Sequence, residues 1–317
     1  MPRIFSGIQP SGELHIGNYL GAVKNWVALQ REFESFICIV NYHAITQPFV
    51  PSELVKRTHE MAVSLLAAGI DPSTATLFVQ SAVPEHTELA WAFNAITPLG
   101  ELERQTQFKD KASRQESVVA GILNYPVLQA ADILLYHADI VPVGEDQIQH
   151  LELSREIARR WNARFEEGYF PEPQPRLTPT RRILGLDGQA KMSKSLGNTV
   201  ALLESPAAIW DKLRPAVTDP ARVRKTDPGN PDVCNIYSLH KAFSPEATQQ
   251  EAASQCRSAG WGCIDCKKVL AASMEVELVP IRARAAELAA TPSLVTDALG
   301  DGAARARTVA RATMAEV

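Results

Sequence analysis

The sequence predicts an α/β fold in which a parallel sheet is followed by a smaller, all-helical part. Over the first 150 residues, short apolar segments alternate with longer segments of helical periodicity. Strands separated by helices pair in parallel, and helices then cover both faces of the sheet. Beyond residue 205 the chain is alanine-rich and helical in pattern, with no convincing strand. We therefore expect a larger α/β domain followed by a smaller helical domain.

The individual elements follow from local residue patterns. Strands are predicted at short runs of apolar, β-branched or aromatic residues, namely 3–8, 36–41, 76–79 and 139–143. Helices are predicted where apolar residues recur on one face, namely 17–31, 52–68, 84–96, 118–136 and 145–161. Ser52 is expected to cap the second of these helices. Residues 170–180 contain four prolines, and their stiff, extended backbone predicts a connection between domains.

The composition is typical of a soluble globular protein, with 45% hydrophobic and 21% charged residues. No apolar run approaches the roughly 18 residues of a membrane span, and the N-terminus lacks the apolar core of a signal peptide. We therefore expect a cytoplasmic protein with no membrane partner. The net charge is −4 at pH 7, yet residues 176–268 contain 14 Lys and Arg against 9 Asp and Glu. A locally basic region of this kind can meet phosphates, although a solvated surface would have the same composition.

A glycine-rich turn follows the first predicted strand and leads into a helix, in the sequence SGIQPSGELHIGN of residues 6–18. Unpaired backbone N–H groups at the start of a helix attract phosphate, and Gly17 allows a nucleotide to approach closely. His15 and Asn18 can donate hydrogen bonds to phosphate oxygens. Such turns are common, so this one alone is a weak sign of nucleotide binding.

A basic motif, Lys-Met-Ser-Lys-Ser at residues 191–195, lies about 175 residues later. Its lysines and hydroxyls can stabilise a departing pyrophosphate, although alone it equally fits a solvated basic loop. Together, HIGN and KMSKS resemble the paired signatures of class I aminoacyl-tRNA synthetases. Four segments narrow the resemblance to tryptophanyl-tRNA synthetases over nearly the whole chain, namely SGIQPSGELHIGNYLGA, GELERQTQFKDKA, YPVLQAADILLY and VPVGEDQIQHLELSREIA. Tyrosyl-tRNA synthetases share the fold and both signatures but not these segments.

The resemblance implies a Rossmann-like catalytic domain at residues 1–185, a junction at 186–200 and an all-helical anticodon-binding domain at 201–295. It also implies a C-terminal helix at 296–317 that packs back on the catalytic domain, and a homodimer that binds tRNA(Trp). In the implied reaction, the carboxylate of L-tryptophan attacks the α-phosphorus of ATP, held with Mg²⁺, to give tryptophanyl-adenylate and pyrophosphate. The terminal ribose of the tRNA then takes the aminoacyl group. The ATP-binding residues implied are Gln9, Pro10, Ser11, Gly17, Asn18, Gly144, Glu145, Asp146, Ile183, Lys191, Met192, Ser193, Lys194 and Ser195. The catalytic residues implied are His15, Asn18, Lys111, Lys191 and Lys194, although Lys109 and Lys111 also fit ordinary surface lysines.

Tryptophan recognition is expected to centre on Asp132, whose carboxylate can accept from the indole N–H. Tyrosine and phenylalanine lack this donor, so a site built around the hydrogen bond rejects them. The alternative is a buried structural aspartate. The resemblance adds Phe5, Gly7, His43, Tyr125, Gln129 and Gln147 to the pocket. Gln129 departs from the family pattern, which has methionine there, and leaves part of the indole packing open.

Four of the five cysteines lie within 33 residues, separated by 21, 6 and 2 residues: Cys234, Cys256, Cys263 and Cys266. Four thiolates suit a structural Zn²⁺ or a [4Fe–4S] cluster, and the alternative is four unrelated buried thiols. Some tryptophanyl-tRNA synthetases carry a [4Fe–4S] cluster beside the anticodon-binding region with very similar spacing, so the resemblance favours iron–sulfur. Nearby Arg257, Lys267 and Lys268 are then expected to contact the anticodon stem-loop.

Two other functions fit parts of the pattern. Another class I nucleotidyltransferase would adenylylate a small substrate without tRNA, but the basic helical part and GEDQ argue against it. A paralogue retained as a regulatory or RNA-binding module would be expected to lose the lysines of KMSKS, and both are present.

Overall fold

A parallel sheet lies at the centre of the computed structural model, which describes residues 1–106, 108, 118–144, 147–177, 183–193 and 196–317. Its five strands lie in the order β3-β2-β1-β4-β5, and each neighbouring pair is parallel. The strands are β1 (Arg3–Ile8), β2 (Glu34–Ile39), β3 (Ala75–Val79), β4 (Ile140–Val143) and β5 (Gln174–Leu177). The α/β prediction with a parallel sheet is therefore confirmed.

The fifth strand corrects the prediction for residues 170–180. These residues were expected to form only a connection, but Gln174–Leu177 pairs with β4, with Pro175 opposite Val141. Proline has no N–H to donate, so it is confined to edge strands, and β5 is an edge strand of this sheet. The strand was not predicted from the sequence, because prolines are unfavourable in a strand that pairs on both sides.

Helices cover both faces of the sheet. The first, α1, combines an α-helical turn (Ile16–Asn18), a π-helical turn (Tyr19–Val23) and a further α-helical segment (Lys24–Leu29). The others are α2 (Asn41–Ala44), α3 (Pro51–Ala68), α4 (Glu85–Asn94), α5 (Leu99–Glu103), α6 (Ala120–Leu134), α7 (Ile148–Arg164), α8 (Pro206–Leu213), α9 (Asn235–Phe243), α10 (Glu246–Arg257), α11 (Cys263–Ala290) and α12 (Pro292–Glu316). The expected cap at Ser52 is wrong, because α3 begins one residue earlier, at Pro51. Within the described ranges, no helix is long and apolar enough to cross a membrane.

The hydrophobic core lies in two parts, one on each face of the sheet. Alternate residues of β2 point to opposite faces, so Ile37 and Ile39 pack into one part and Phe36 and Cys38 into the other. The first part continues into the C-terminal helices, where it includes Leu270 of α11 and Val295 of α12. The expected domain boundaries at residues 185 and 201 therefore do not coincide with a gap in the core, and they stay predictions.

The last helix, α12, covers the edge strand β3. Arg305 donates to the carbonyl oxygens of Pro72 and Ala75 at 2.6 and 3.0 Å. Gly302 lies so close to the strand that an added Cβ would stand 1.8 Å from the carbonyl oxygen of Leu77. The close approach covers a sheet edge that would otherwise be open to pairing with another chain.

The order of the strands locates a crevice. From β1 the chain proceeds outward through β2 to β3, whereas β4 returns to the other side of β1 and leads to β5. In open parallel sheets, ligands bind outside the carboxyl ends of the strands where the order reverses. Here that place lies between β1 and β4.

Candidate active site

The carboxyl ends of four strands bring together residues that are far apart in the sequence. Gln9 follows β1, His43 lies in α2 after β2, Gln80 follows β3, and Gly144 follows β4. Three of these four were predicted from the sequence, and Gln80 was not. The structure thus gathers predicted residues at the crevice.

The two signature segments lie side by side. The chain just after the KMSKS motif pairs antiparallel with the turn, since Ile16 donates to the carbonyl of Val200 at 2.9 Å. In return, Leu202 donates to the carbonyl of Leu14 at 2.7 Å. A Cβ added at Gly17 would lie 3.2 Å from the Cβ of Met192. Glycine at residue 17 therefore allows the motif to pack directly against the first turn of α1.

His15 caps the start of α1. Its Nδ1 accepts from the backbone N–H of Asn18 at 3.2 Å, and the Asn18 Oδ1 accepts from the backbone N–H of His15 at 3.5 Å. Because Nδ1 accepts, the proton of a neutral ring is on Nε2. His15 Nε2 and Asn18 Nδ2 are thus donors at the helix start, where phosphate is attracted. Around them, Pro10 is buried whereas Gln9 and Ser11 are exposed.

Residues 183–193 form a short hairpin, here called the lysine hairpin, that carries the first three residues of the motif. Leu184 bridges to Lys191, and Gly185 donates to the carbonyl of Ala190 at 2.8 Å. Lys191 is exposed, and Ile183, at the start of the hairpin, is half-buried.

Asn198 stabilises this hairpin, and it was not predicted as a site residue. Its Oδ1 accepts from the backbone N–H of Ser193, and its Nδ2 donates to Asp187, both at 2.8 Å. The hydrogen bond from Asn198 holds the pKa of Asp187 below its usual value. A Cβ at Gly185 would lie 2.0 Å from the Asn198 amide nitrogen, so only glycine leaves room for it.

Asp132 is buried, with 1% exposure, and its carboxylate accepts three hydrogen bonds. His43 Nε2 lies 2.7 Å from Oδ2, whereas Gln80 Nε2 and His86 Nδ1 lie 2.7 and 2.6 Å from Oδ1. Burial by itself raises the pKa of Asp132, but His43 and His86 hold this pKa well below its usual value. The residue therefore stays ionised, and Oδ2 retains a lone pair for a further donor.

Two of these partners, Gln80 and His86, were missed by the sequence prediction. Gln80 Oε1 accepts from the backbone N–H of Tyr42 at 3.0 Å, which turns its amide donor towards Asp132. His86 is fully buried and its Nε2 lies 2.8 Å from the Tyr136 hydroxyl. A histidine in an amphipathic helix gives no sequence signal of this contact, because the partner is 46 residues away.

Aromatic and polar residues continue the site from Asp132. The rings of His43 and Tyr125 meet edge to face at 6.2 Å, and the Tyr125 hydroxyl lies 2.8 Å from His150 Nε2. His150 Nδ1 lies 3.0 Å from Gln147 Oε1. Burial raises the pKa of Tyr125, so its hydroxyl stays protonated. The predicted pocket residues His43, Tyr125 and Gln147 are thus linked by contacts. His150, which links Tyr125 to Gln147, was not predicted.

The other predicted pocket residues surround this array. Phe5 stacks on Tyr136 at 5.7 Å, and Gly7 lies beside Val40, whose methyl would stand 2.9 Å from an added Cβ. Gln129 is half-buried on α6 and lies on the same helical face as Tyr125 and Asp132.

Four residues predicted to bind ATP lie outside the described residues, namely Glu145, Asp146, Lys194 and Ser195, and so do Lys109 and Lys111.

Comparison with known proteins identifies the family. The family model for class I tRNA synthetases (W and Y) matches residues 1–278. A tryptophan–tRNA ligase of Deinococcus radiodurans is 55% identical over 322 residues, covering 100% of this chain and 97% of the relative. The chain belongs to the class I tryptophanyl-tRNA synthetase family.

Another relative and a solved structure agree with this. The tryptophan–tRNA ligase of Thermosynechococcus vestitus is 47% identical, with 99% of this chain and 97% of the relative covered. The crystal structure of the Campylobacter jejuni tryptophanyl-tRNA synthetase, complexed with ADP and tryptophan, is 38% identical with a TM-score of 0.90. That match covers 99% of this chain and 98% of the other.

The four clustered cysteines of this synthetase line one cavity of about 20 Å³ together with Arg222 and Trp261: Cys234, Cys256, Cys263 and Cys266. Burial, followed by the neighbouring thiols, raises the pKa of Cys266 to about 12. The Nε of Arg222 is buried, with no hydrogen-bond partner among the described residues. Within the same described part of the chain, no three His, Cys, Asp or Glu side chains are arranged to hold a metal ion.

The expectation that Lys267 contacts RNA is wrong. Its side chain is buried, with 4% exposure, and its Nζ donates to the carbonyl oxygens of Arg214 and Ala216 at 2.7 and 2.6 Å. The cation therefore holds the chain just after α8. Arg257 and Lys268 are exposed, so the prediction for these two residues stays open.

Proposed function

We propose that this synthetase activates L-tryptophan with ATP and transfers the product to tRNA(Trp) in the cytoplasm, using the crevice between β1 and β4. One observation carries the proposal: the turn before α1 and the lysine hairpin pack together, with Gly17 against Met192. Two separate phosphate-binding signatures that share one cleft suit a single bound nucleotide. The names of the relatives support the reaction and the substrate.

ATP would lie between the turn and the lysine hairpin. His15 Nε2, Asn18 Nδ2 and the helix start would meet its phosphates. Lys191 and the rest of the motif would stabilise the charge that grows on the leaving pyrophosphate. The remaining predicted contacts, from Gln9 to Ser11, at 144–146 and at Ile183, would bind the base and ribose. Mg²⁺ would be bound mainly by the phosphates, since it keeps several waters in such sites.

Tryptophan would bind with its indole N–H directed at Asp132 Oδ2. The ionised carboxylate is oriented by three donors, so it need not reorganise when substrate arrives. Phe5, Gly7 and Gln129 would pack against the ring, while Tyr125, Gln147 and His43 would complete the polar wall. The reaction needs no protein nucleophile, because the tryptophan carboxylate itself attacks the α-phosphorus.

The test is exchange of labelled pyrophosphate into ATP, with tryptophan, tyrosine and phenylalanine compared side by side. Exchange that depends on tryptophan alone supports the proposal, and charging of tRNA(Trp) by the same preparation completes it. Exchange that follows tyrosine would overturn the substrate, and exchange with none of them would overturn the reaction.

We also propose a [4Fe–4S] cluster held by the four cysteines, with structural Zn²⁺ as the alternative. Four thiols around one cavity supply the donor set, and the half-buried cation of Arg222 offsets negative charge. The spacing of the four cysteines, which is similar to that of cluster-carrying members of the family, favours iron–sulfur over Zn²⁺. The small cavity requires the side chains to move apart on binding. Anaerobically purified protein with absorbance near 400 nm would support the cluster, whereas colourless, zinc-loaded protein would contradict it.

The tRNA anticodon would bind the surface beside these cysteines, within the helical residues 201–295. An open groove there is lined by Tyr237, Gln250, Ser254 and Arg257. The Nζ of Lys241 lies 4.9 Å from the centre of the Tyr237 ring. An aromatic face with cations beside it suits an unpaired base and its phosphate. In the proposed division, residues 1–185 catalyse, and the helix at 296–317 braces them.

A homodimer completes the proposal. Large apolar residues are exposed in and near α4 and α5, where Trp91 is 78% and Leu99 is 58% exposed. Exposed apolar residues of this size are typical of subunit interfaces.

A further inference from the structure

Residues 183–185, at the start of the lysine hairpin, hold the residues that carry the motif. Met192 donates to the carbonyl of Ile183 at 3.3 Å, and Gly185 donates to the carbonyl of Ala190 at 2.8 Å. Residues 190–192 are thus tied to residues 183–185. Gly185 therefore lies beside the part of the hairpin that carries Lys191 and Met192, and Met192 faces Gly17.

Asn235 holds Gly185 from outside the hairpin. It is the first residue of α9, it is 7% exposed, and its Nδ2 donates to the Gly185 carbonyl at 2.7 Å. The same carbonyl accepts from the N–H of Gly188 at 2.9 Å, so both of its lone pairs are used. A second link runs from the N–H of Val217 to the carbonyl of Leu186 at 3.0 Å.

Both hydrogen bonds come from residues that lie next to the lining of the four-cysteine cavity in the sequence. Cys234 immediately precedes Asn235, and Asp219, two residues after Val217, also lines the cavity. Lys267, next to Cys266, holds the carbonyl of Ala216 at 2.6 Å. The cavity wall and the base of the lysine hairpin are therefore joined by short stretches of chain.

We infer that Asn235 is a positioning residue for the lysine hairpin, which it fixes relative to the nucleotide turn and joins to the cysteine-bearing helices. The inference rests on the proposed function, because it assigns the hairpin to ATP. Asn235 itself touches no substrate. Its loss lets the hairpin shift while Asp132 and its partners, on the other side of the crevice, stay in place.

The test compares Asn235→Asp and Asn235→Ala with wild type in tryptophan-dependent pyrophosphate exchange. Asn235→Asp keeps the shape but sets a carboxylate against the Gly185 carbonyl, and Asn235→Ala removes the donor without adding charge. We expect kcat/KM for ATP to fall about ten-fold, since a displaced reactive group loses rate steeply. Tryptophan affinity, measured by fluorescence titration, is expected to change less than two-fold. The control is Ser238→Ala, a substitution in the same helix. The Ser238 hydroxyl donates to the Cys234 carbonyl and makes no contact with the hairpin in that hydrogen bond.

The outcomes separate the two claims. Wild-type protein without tryptophan-dependent exchange would overturn the proposed function. Active wild type with unchanged variants would overturn the inference alone. Variants that lose tryptophan binding together with ATP use would show that Asn235 only supports the fold, which also contradicts the inference.

Discussion

At the scale of single residues, Asp132 carries the prediction for substrate choice. We expect Asp132→Asn to lower kcat/KM for tryptophan roughly 100-fold, because the amide is a weaker acceptor and disturbs three buried donors. An analogue in which sulfur replaces the indole N–H should then be used almost as well as tryptophan. The control is Asp297→Asn at an exposed position of α12. Unchanged discrimination in Asp132→Asn would contradict the role given to the carboxylate.

The same residue predicts a dependence of stability on pH. The pKa of Asp132 in the fold lies below its ordinary value of 3.8, so its contribution is present above that pH and is lost as pH falls further. We expect the difference in unfolding free energy between wild type and Asp132→Asn to shrink by roughly 1 kcal/mol between pH 7 and pH 3. Denaturant unfolding from pH 7 to pH 3 measures it. A difference that stays constant with pH would show that the carboxylate is not stabilised by its partners.

Asp132, His43 and Tyr125 were predicted from the sequence, but the residues that orient them were not. Gln80, His86 and Asn198 make their decisive contacts across the fold, and each is an ordinary polar residue in its local sequence. Motifs identify groups that meet substrate, whereas supporting contacts depend on which strands become neighbours.

At the scale of elements, the contact between α1 and the lysine hairpin is testable at Gly17. A methyl group there would lie 3.2 Å from Met192 and 3.0 Å from the His15 ring. We expect Gly17→Ala to raise KM for ATP about ten-fold while KM for tryptophan changes little, because only the nucleotide side of the crevice is disturbed. Steady-state exchange kinetics give both values. The matched control is Gly21→Ala, where an added methyl meets nothing within 4 Å. Equal rises for both substrates would contradict the assignment of Gly17 to the nucleotide.

The docking of α12 on β3 gives a second prediction at this scale. In Gly302→Ala the new Cβ would stand 1.8 Å from the Leu77 carbonyl, so helix and strand must separate, at a loss of about 3 kcal/mol of stability. Gly300→Ala, two residues earlier with open space around it, should be neutral or stabilise by up to about 1 kcal/mol. Thermal unfolding of both variants measures the contrast. Equal effects would mean that α12 does not rest on the sheet edge.

The elements themselves were largely predictable, since four strands were placed within two residues of their observed bounds. The edge strand β5 was not predicted, because its prolines are typical of a connecting segment. The π-helical turn in α1 was not predicted either, since its apolar spacing fits an ordinary helix.

At the scale of the whole molecule, the proposed dimer depends on exposed apolar residues such as Trp91. We expect Trp91→Glu to shift the protein towards monomer in sedimentation velocity, because a buried carboxylate at an interface is strongly unfavourable. Val276→Glu, at another exposed apolar position, is the control and should leave the dimer intact. A Trp91→Glu protein that sediments as wild type would remove α4 from the interface.

The proposed reaction requires the turn before α1 and the lysine hairpin to bind one nucleotide between them. A crystal structure with tryptophan and a non-hydrolysable ATP analogue tests it most directly. We expect the triphosphate between Gly17 and Lys191, with the indole nitrogen within hydrogen-bond distance of Asp132. A nucleotide bound elsewhere, or an indole turned away from Asp132, would contradict the account.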